Sequence, residues 1–433
     1  MEPKSLSFAY SYGCKNAGDF AINEGSLSLI QRAVPDAAVK TISRFDENSE
    51  EFAKMAEKLA SLTNEAELFG GPITYDPTSQ SRPAQLLSIL QNGIQYGFDI
   101  ATLRDDSQFH SKLFEQITTS DGLLFNGGNA IHYSPSHQSI AYLLAVLYPI
   151  QVARRNNIPY AILPQTVFGL EGISKRLVVP ILDDAEFVMT RDAETFRYLS
   201  SFGLSTQLIN AVDTAFLNGT PSTTTSSDEQ KEIAVVPRFS TLGDTGTLDE
   251  TASRMERTFM EYLRSLVSAG HAVTLTIQTE IDNEWVTQNR SQLESIGVSF
   301  YTSFDPQDLR DHYAEMDLLV TMRLHAAIFA LSMGTPTIGV YRPEWGPKMK
   351  GTFETLDIEA YAVPWDEATH DSLLSATEET LADGKALSEH IVSRVIMRNE
   401  QMVSDVTSAF RTADGFSDER SHTHPARQLP SAR

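Results

Sequence analysis

Thr321 to Gly351, TMRLHAAIFALSMGTPTIGVYRPEWGPKMKG, holds the residues best suited to chemistry in this chain. Four cationic side chains, Arg323, Arg342, Lys348 and Lys350, stand there against one acid, Glu344, in a protein of formal net charge -23. A guanidinium offers a planar fork of donors that grips a carboxylate or phosphate through two bonds. An imidazole two positions away adds a donor that ordinarily titrates near pH 6.5. The spacing of Arg323 and His325 therefore predicts an anion site with a proton donor beside it, and these two are the candidate catalytic groups. Singly, each basic residue reads as a solvated charge and the His as structural. Their recurrence after two adjacent strands outweighs that reading.

The elements around them explain the placement. DLLVTM reads as a strand, HAAIFALSM as a helix ended by Gly334 and Pro336, and TIGVY as the next parallel strand. Arg323 falls where the helix begins, and free backbone N–H groups and the helix dipole favour an anion there by roughly 0.3–1 kcal/mol. Arg342, Lys348 and Lys350 follow the second strand, read as a basic loop on the same sheet edge. Ligands of open α/β sheets bind beyond the carboxyl ends of the strands.

Comparable turns occur earlier. SYGCKNAGDF places Gly13, Asn16, Gly18 and Asp19 between the first strand and first helix, and FNGGNAIHY places Asn126, Gly127, Gly128 and Asn129 after DGLLF. Arg191 ends the strand AEFVMTR, with Asp192 suited to cap the next helix, and Arg238 ends IAVVPR. Small residues in such turns serve tight chain reversal as readily as close approach to a ligand.

Short apolar runs alternate with amphipathic stretches throughout, the pattern of parallel sheets covered on both faces. The expected organisation is an α/β protein: a Rossmann-like domain over residues 1–217, a polar Thr/Ser-rich linker over 218–232, and a second Rossmann-like domain over 233–370. A helical segment over 371–412 would pack back on the first domain, and 413–433 would be a disordered tail. A helix is expected at 83–97, PAQLLSILQNGIQYG.

At 433 residues and 41% hydrophobic content the chain can bury two cores. The acidic balance argues against nucleic acid as a partner, since phosphate backbones are held by basic stripes. One cysteine, Cys14, excludes an internal disulfide and a cysteine-based zinc cluster, and no histidine set has metal-ligand spacing. No run reaches the length of a membrane span and the N-terminus lacks the apolar core of a signal peptide. The sequence predicts a cytoplasmic protein, free or near the inner face of the membrane, without a metal or other cofactor, and leaves a homo-oligomer open.

Together these stretches resemble the polysaccharide pyruvyl transferase family over residues 8 to about 360. The resemblance rests on the Asn-x-Gly-Asp turn from Asn16 to Asp19, the Gly-Gly turn, the Arg191–Asp192 pair, the strand ending in Arg238 and, most specifically, MRLHAAIFALSMGTPTIGV. It implies a GT-B-like fold in which the parallel sheets of two Rossmann-like domains face each other across a cleft. It also implies phosphoenolpyruvate as co-substrate, a pair of sugar hydroxyls as acceptor, and a pyruvate ketal plus phosphate as products. Arg323 and His325 match the family's Arg-Leu-His. Lys348 matches a Lys that usually follows Tyr-Asp-Pro, whereas here Tyr341 is followed by RPEWGP without the Asp, and which of Lys348 and Lys350 reaches the donor stays open. The strand-end glycine run near residue 165 is replaced by PQTVFG.

On that basis Arg323, Lys348, Lys350, Arg191 and Arg238 are expected on the donor side, and Asn16, Asp19, Asn126 and Asn129 against the acceptor hydroxyls. Two rivals share the pattern: a nucleotide-sugar glycosyltransferase, with Glu344 available for ribose hydroxyls, and a non-catalytic anion- or glycan-binding protein.

Overall fold

A computed structural model describes residues 4–62, 67–72, 111–133, 140–223, 229–239, 250–413 and 415–416. The first lobe runs β1 (Ser5–Ser11), α1 (Ala17–Ala33), β2 (Ala38–Ser43), α2 (Glu50–Leu62), β3 (Leu68–Phe69), α3 (Ser111–Thr118), β4 (Gly122–Phe125), α4 (Ile140–Arg155), β5 (Tyr160–Gln165), α5 (Gly172–Asp183), β6 (Phe187–Thr190), α6 (Ala193–Ser200) and β7 (Gln207–Asn210). A 3-10 turn, Thr214–Asn218, closes it. The second runs β8 (Glu232–Val236), α7 (Glu250–Ser268), β9 (Ala272–Ile277), α8 (Glu280–Ile296), β10 (Ser299–Thr302), α9 (Pro306–Ala314), β11 (Leu318–Thr321), α10 (Leu324–Met333), β12 (Thr337–Tyr341), α11 (Lys348–Thr355) and β13 (Ala362–Pro364). Then come α12 (His370–Ala382) and the long α13 (Gly384–Thr412).

Both sheets are parallel. The first has the order β3-β2-β1-β4-β5-β6-β7 and the second β10-β9-β8-β11-β12-β13. Strands such as GLLF, YAILPQ, FVMT and LLVT are buried along their whole length, because helices cover both faces. In each sheet the direction of winding reverses beside the first strand, between β1 and β4 and between β8 and β11. The turns after those four strands open at a switch point, where doubly wound sheets take ligands. They carry Asn16–Asp19, Asn126–Asn129, Arg238 and Arg323–His325.

Several expectations are corrected. The strands β3, β7 and β13 are too short, or in QLIN too polar, to stand out in the sequence. KMKG is the first turn of α11 rather than loop. The start of the linker is pinned: the Ser222 backbone N–H donates to Met333 O at 3.0 Å, at the end of α10. Helix α12 stays with the second lobe, where a Thr369 capping box starts it and Thr377 meets the Tyr262 hydroxyl at 2.7 Å. Only α13 crosses to the first lobe, donating from Asn399 Nδ2 to Phe216 O at 3.1 Å and packing Phe410 edge-on to Phe187. The chain beyond 413 does not loosen at once, since Phe416 is buried against Phe410 and Phe187. The helix expected at 83–97, His110, His137 and the tail beyond residue 416 lie outside the described residues. No described helix is long and apolar enough to cross a membrane.

Candidate active site

Arg323 is the N-cap position of α10, and its backbone N–H is satisfied by Thr321 Oγ1 at 2.9 Å. Its side chain crosses to the first turn of α8, where Nη2 pairs with Asp282. Asp282 is buried and fixed by Thr279 Oγ1 at 2.8 Å. The Nε of Arg323 is buried without a hydrogen-bond partner, so part of the donor fork stays uncommitted.

His325, one helical position inside, faces the other lobe. A Cβ on Gly18 would fall 2.3 Å from the imidazole, so the first turn of α1 can roof the ring only because residue 18 has no side chain. This gives the glycine of the Asn16–Asp19 turn a physical reason. Beyond the ring, Nε2 lies 3.6 Å from Asp213 Oδ2, within ion-pair distance but too far for a hydrogen bond.

Asp213 follows β7 and belongs to the first lobe. Its carboxylate accepts from Arg191 Nη1 at 2.5 Å and from the Ala215 backbone N–H at 2.9 Å. Burial pushes the Asp213 carboxyl up, but Arg191, His325 and that N–H together overcome it and hold the group well below the usual carboxylate range. Arg191 also donates from Nε to Thr166 Oγ1 at 2.8 Å.

Lys348 and Arg238 complete the cluster. Lys348 is half-buried, and desolvation, followed by the charges of Arg238, Arg191 and Arg323, pushes its amine down to about 7; Asp19 pulls the other way. Arg238 stacks on the Trp345 ring at 4.0 Å, and its buried Nε lacks a hydrogen-bond partner. Burial, then Arg323, lowers Arg238 to about 9, which leaves it charged at neutral pH. Arg191 and Arg323 are paired with Asp213 and Asp282; Asp282 also acts on Arg238, and Asp19 acts on Lys348. With Lys348 protonated, four bases against three acids leave the centre positive by one charge inside a strongly acidic protein.

Not every expected residue joins this centre. Lys350 is half exposed and pairs with Glu194 of α6 at 2.9 Å, on the outer side of the lobe contact. Arg191 lies beneath the centre as a buried counter-ion for Asp213, its side chain only 2% exposed, so it supports a ligand site without facing one. Asn126 is wholly buried, with Nδ2 donating to Tyr10 O and Asn23 Oδ1 and Oδ1 accepting from Gly127 N–H, so its capacity is spent on the backbone and on the Asn23 side chain. Asn16 caps α1 through Gly18 N–H at 3.0 Å and forms an isolated antiparallel bridge with Thr279 of the other lobe. The half-buried Asn129 offers its carbonyl to His132 Nδ1. Asp192 acts as a helix cap, accepting from the Thr195 backbone N–H at 2.7 Å.

Asp213, Asp282 and Trp345 were not anticipated. Asp213 sits in AVDT after a strand the sequence hides, and Asp282 looks like an ordinary acid in a helix's first turn. Trp345 carried the only usable signal, as an aromatic beside the basic run. Among the described residues, no group of three His, Cys, Asp or Glu side chains could hold a metal ion.

The sequence matches the polysaccharide pyruvyl transferase family over residues 16–343. No curated protein matches the chain. Among solved structures, a UDP-N-acetylglucosamine 2-epimerase superposes with a TM-score of 0.58 at 12% identity, covering 98% of this chain and 99% of that one. A UDP-glucose:anthocyanidin 3-O-glucosyltransferase in complex with UDP gives 0.51 at 11% identity, with 94% and 99% covered. MurG of Acinetobacter baumannii gives 0.50 at 13% identity, with 94% and 100% covered. Likeness at such identities is one of fold, and the fold is GT-B. A match across more than half of the chain, on the two-lobed frame whose switch points carry the Arg-Leu-His turn, leads to one conclusion: the protein belongs to the polysaccharide pyruvyl transferase family of transferase enzymes.

Proposed function

We propose that the protein transfers the pyruvate unit of phosphoenolpyruvate to two hydroxyls of a sugar, giving a cyclic ketal and inorganic phosphate in the cytoplasm. The observation that carries this reading is the gathering of Arg238, Lys348 and Arg323, two positions before His325, at the switch point of the second lobe. A small trianion, carrying carboxylate and phosphate a few bonds apart, suits a cluster whose guanidiniums keep donor atoms uncommitted.

In the reaction, His325 gives its proton to the methylene carbon of the donor, and the C=C electron pair becomes the new C–H bond. The adjacent carbon acquires oxocarbenium character, and the first sugar hydroxyl adds its oxygen there. The C–O bond to phosphate breaks, and phosphate leaves with the electron pair. The second hydroxyl closes the ring. Of the two hydroxyl protons released, one leaves on phosphate and one returns to the imidazole. Asp213 sets a buried negative charge beside the imidazolium without holding its proton. Asp19 of the first lobe is the carboxylate available to orient the hydroxyl pair, with Lys348 within its electrostatic reach.

A nucleotide-sugar donor has less support: Glu344, the carboxylate available for ribose, is 68% exposed and sits 3.4 Å from Arg342. The test is phosphate release from phosphoenolpyruvate with and without galactosides, mannosides and glucosides, with mass spectrometry for the ketal. A positioned acid contributes about 10²- to 10⁴-fold, so His325→Gln is expected to lose that much turnover with modest loss of donor binding. Near-normal turnover by His325→Gln would overturn the acid, and nucleotide release from a sugar nucleotide without ketal formation would overturn the reaction.

A further inference from the structure

Arg44 lies one residue beyond β2, anchored by its backbone N–H to Ser11 O at 2.9 Å. Its Nη2 donates to the Tyr142 hydroxyl at 3.1 Å, and its guanidinium lies 5.0 Å from the Phe45 ring centroid and 5.8 Å from that of Tyr10. Among the described residues no carboxylate forms an ion pair with it, and its buried Nε has no hydrogen-bond partner. Three other well-buried guanidiniums, Arg191, Arg310 and Arg323, each face an acid: Asp213, Glu24 and Asp282. Desolvating an unmatched charge is costly, so such a group marks a place kept for an anion.

The wall behind Arg44 is built at a backbone cost. Tyr10 has φ +70 and shifts the register of β1 against β2, a conformation a bulky residue rarely adopts. That turn lets the Tyr10 hydroxyl meet Tyr142 at 3.1 Å, bracing the phenol that holds Arg44. Arg44 also belongs to the same electrostatic neighbourhood as the centre. Asp19 acts both on it and on Lys348, and the Tyr12 phenol feels Asp19, Arg191 and Arg44 together.

We infer that Arg44 binds a negative charge on the sugar acceptor, either the carboxylate of a uronic acid or the phosphate of a glycosyl phosphate, with the reacting hydroxyls held between it and Asp19. The inference rests on the pyruvyl-transfer reading for what happens to those hydroxyls, though not for the binding itself. The first arm compares kcat/KM for neutral hexosides, the matching uronides and hexose 1-phosphates in the wild type, Arg44→Met and Arg44→Lys. The expected result is a preference for one charged series that collapses about 10- to 100-fold in Arg44→Met and largely survives in Arg44→Lys. Which series is preferred identifies the anion. Equal use of neutral and charged acceptors by the wild type, or an equal fall for all acceptors in Arg44→Met, overturns it. The second arm needs no turnover. Calorimetric titration with methyl glucuronide and glucose 1-phosphate should detect binding to the wild type that Arg44→Met loses with its circular dichroism unchanged. No binding of either by the wild type overturns the inference, whereas binding without ketal formation from phosphoenolpyruvate would indict the reaction alone.

Discussion

Asp213 and His325 approach to 3.6 Å from opposite lobes, with Arg191 Nη1 on the same carboxylate oxygen, Oδ2, at 2.5 Å. One buried acid thus serves a structural cation and a candidate catalytic ring. Asp213→Asn keeps the shape and removes the charge, leaving Arg191 buried and unmatched. Breaking one side of a buried pair costs about 3–5 kcal/mol, readable as a lower denaturation midpoint in urea, and turnover should fall with it. The double change Arg191→Met with Asp213→Leu removes both charges. It should recover most of the stability and none of the turnover, and recovery of both would deny the carboxylate any part in catalysis.

Lys348 predicts a pH dependence. Its amine sits near 7 in the folded chain against an ordinary 10.5. Between those values the unfolded chain keeps the proton and the folded one does not, so this group's contribution to stability rises with pH across that window; below 7 its full cost is present. Lys348→Met should therefore raise the melting temperature of the ligand-free protein most below pH 7, with the gain gone by about 10.5, while donor affinity falls. Binding a trianion favours the charged amine. Calorimetry near pH 7.5 in buffers of different ionisation enthalpy should thus register proton uptake in the wild type that the variant lacks.

Lys350 is the control. Two positions along a helix is a rotation of about 200°, so with Lys348 turned to the cleft, Lys350 points away and meets Glu194. Lys350→Ala removes a half-exposed pair of the kind that contributes about 0–1 kcal/mol. Steady-state assays should find kcat and KM for the donor within about twofold of the wild type, and a tenfold rise in KM would return Lys350 to the donor site.

What could be read from sequence was what is local. Strand, turn and helix around Arg323 and His325 occupy one continuous run, and short range suffices to place both at a strand end. Both parallel sheets follow from the alternation itself. Asp282 and Asp213 escaped because their roles arise from elements 41 and 112 residues away from their partners, through packing that no local pattern encodes. Asn126 looked available because its neighbours are glycines, yet that open turn leaves backbone groups of β1 and β4 needing a partner, and the amide is consumed by them. The choice between Lys348 and Lys350 turned on whether KMKG coils, which the preceding Pro and Gly obscured.

The contact between residue 18 and the imidazole of His325 carries a consequence for timing. The ring belongs to one half of the molecule and its ceiling to the other, so a hinge motion that parted the halves would also expose the imidazole to bulk water. On the proposed reaction, an enol ester protonated in an open, wet groove would be lost to water as pyruvate. With the proposed acid on one half and its shelter on the other, the proposed reaction would proceed only when both halves have come to rest on their cargo.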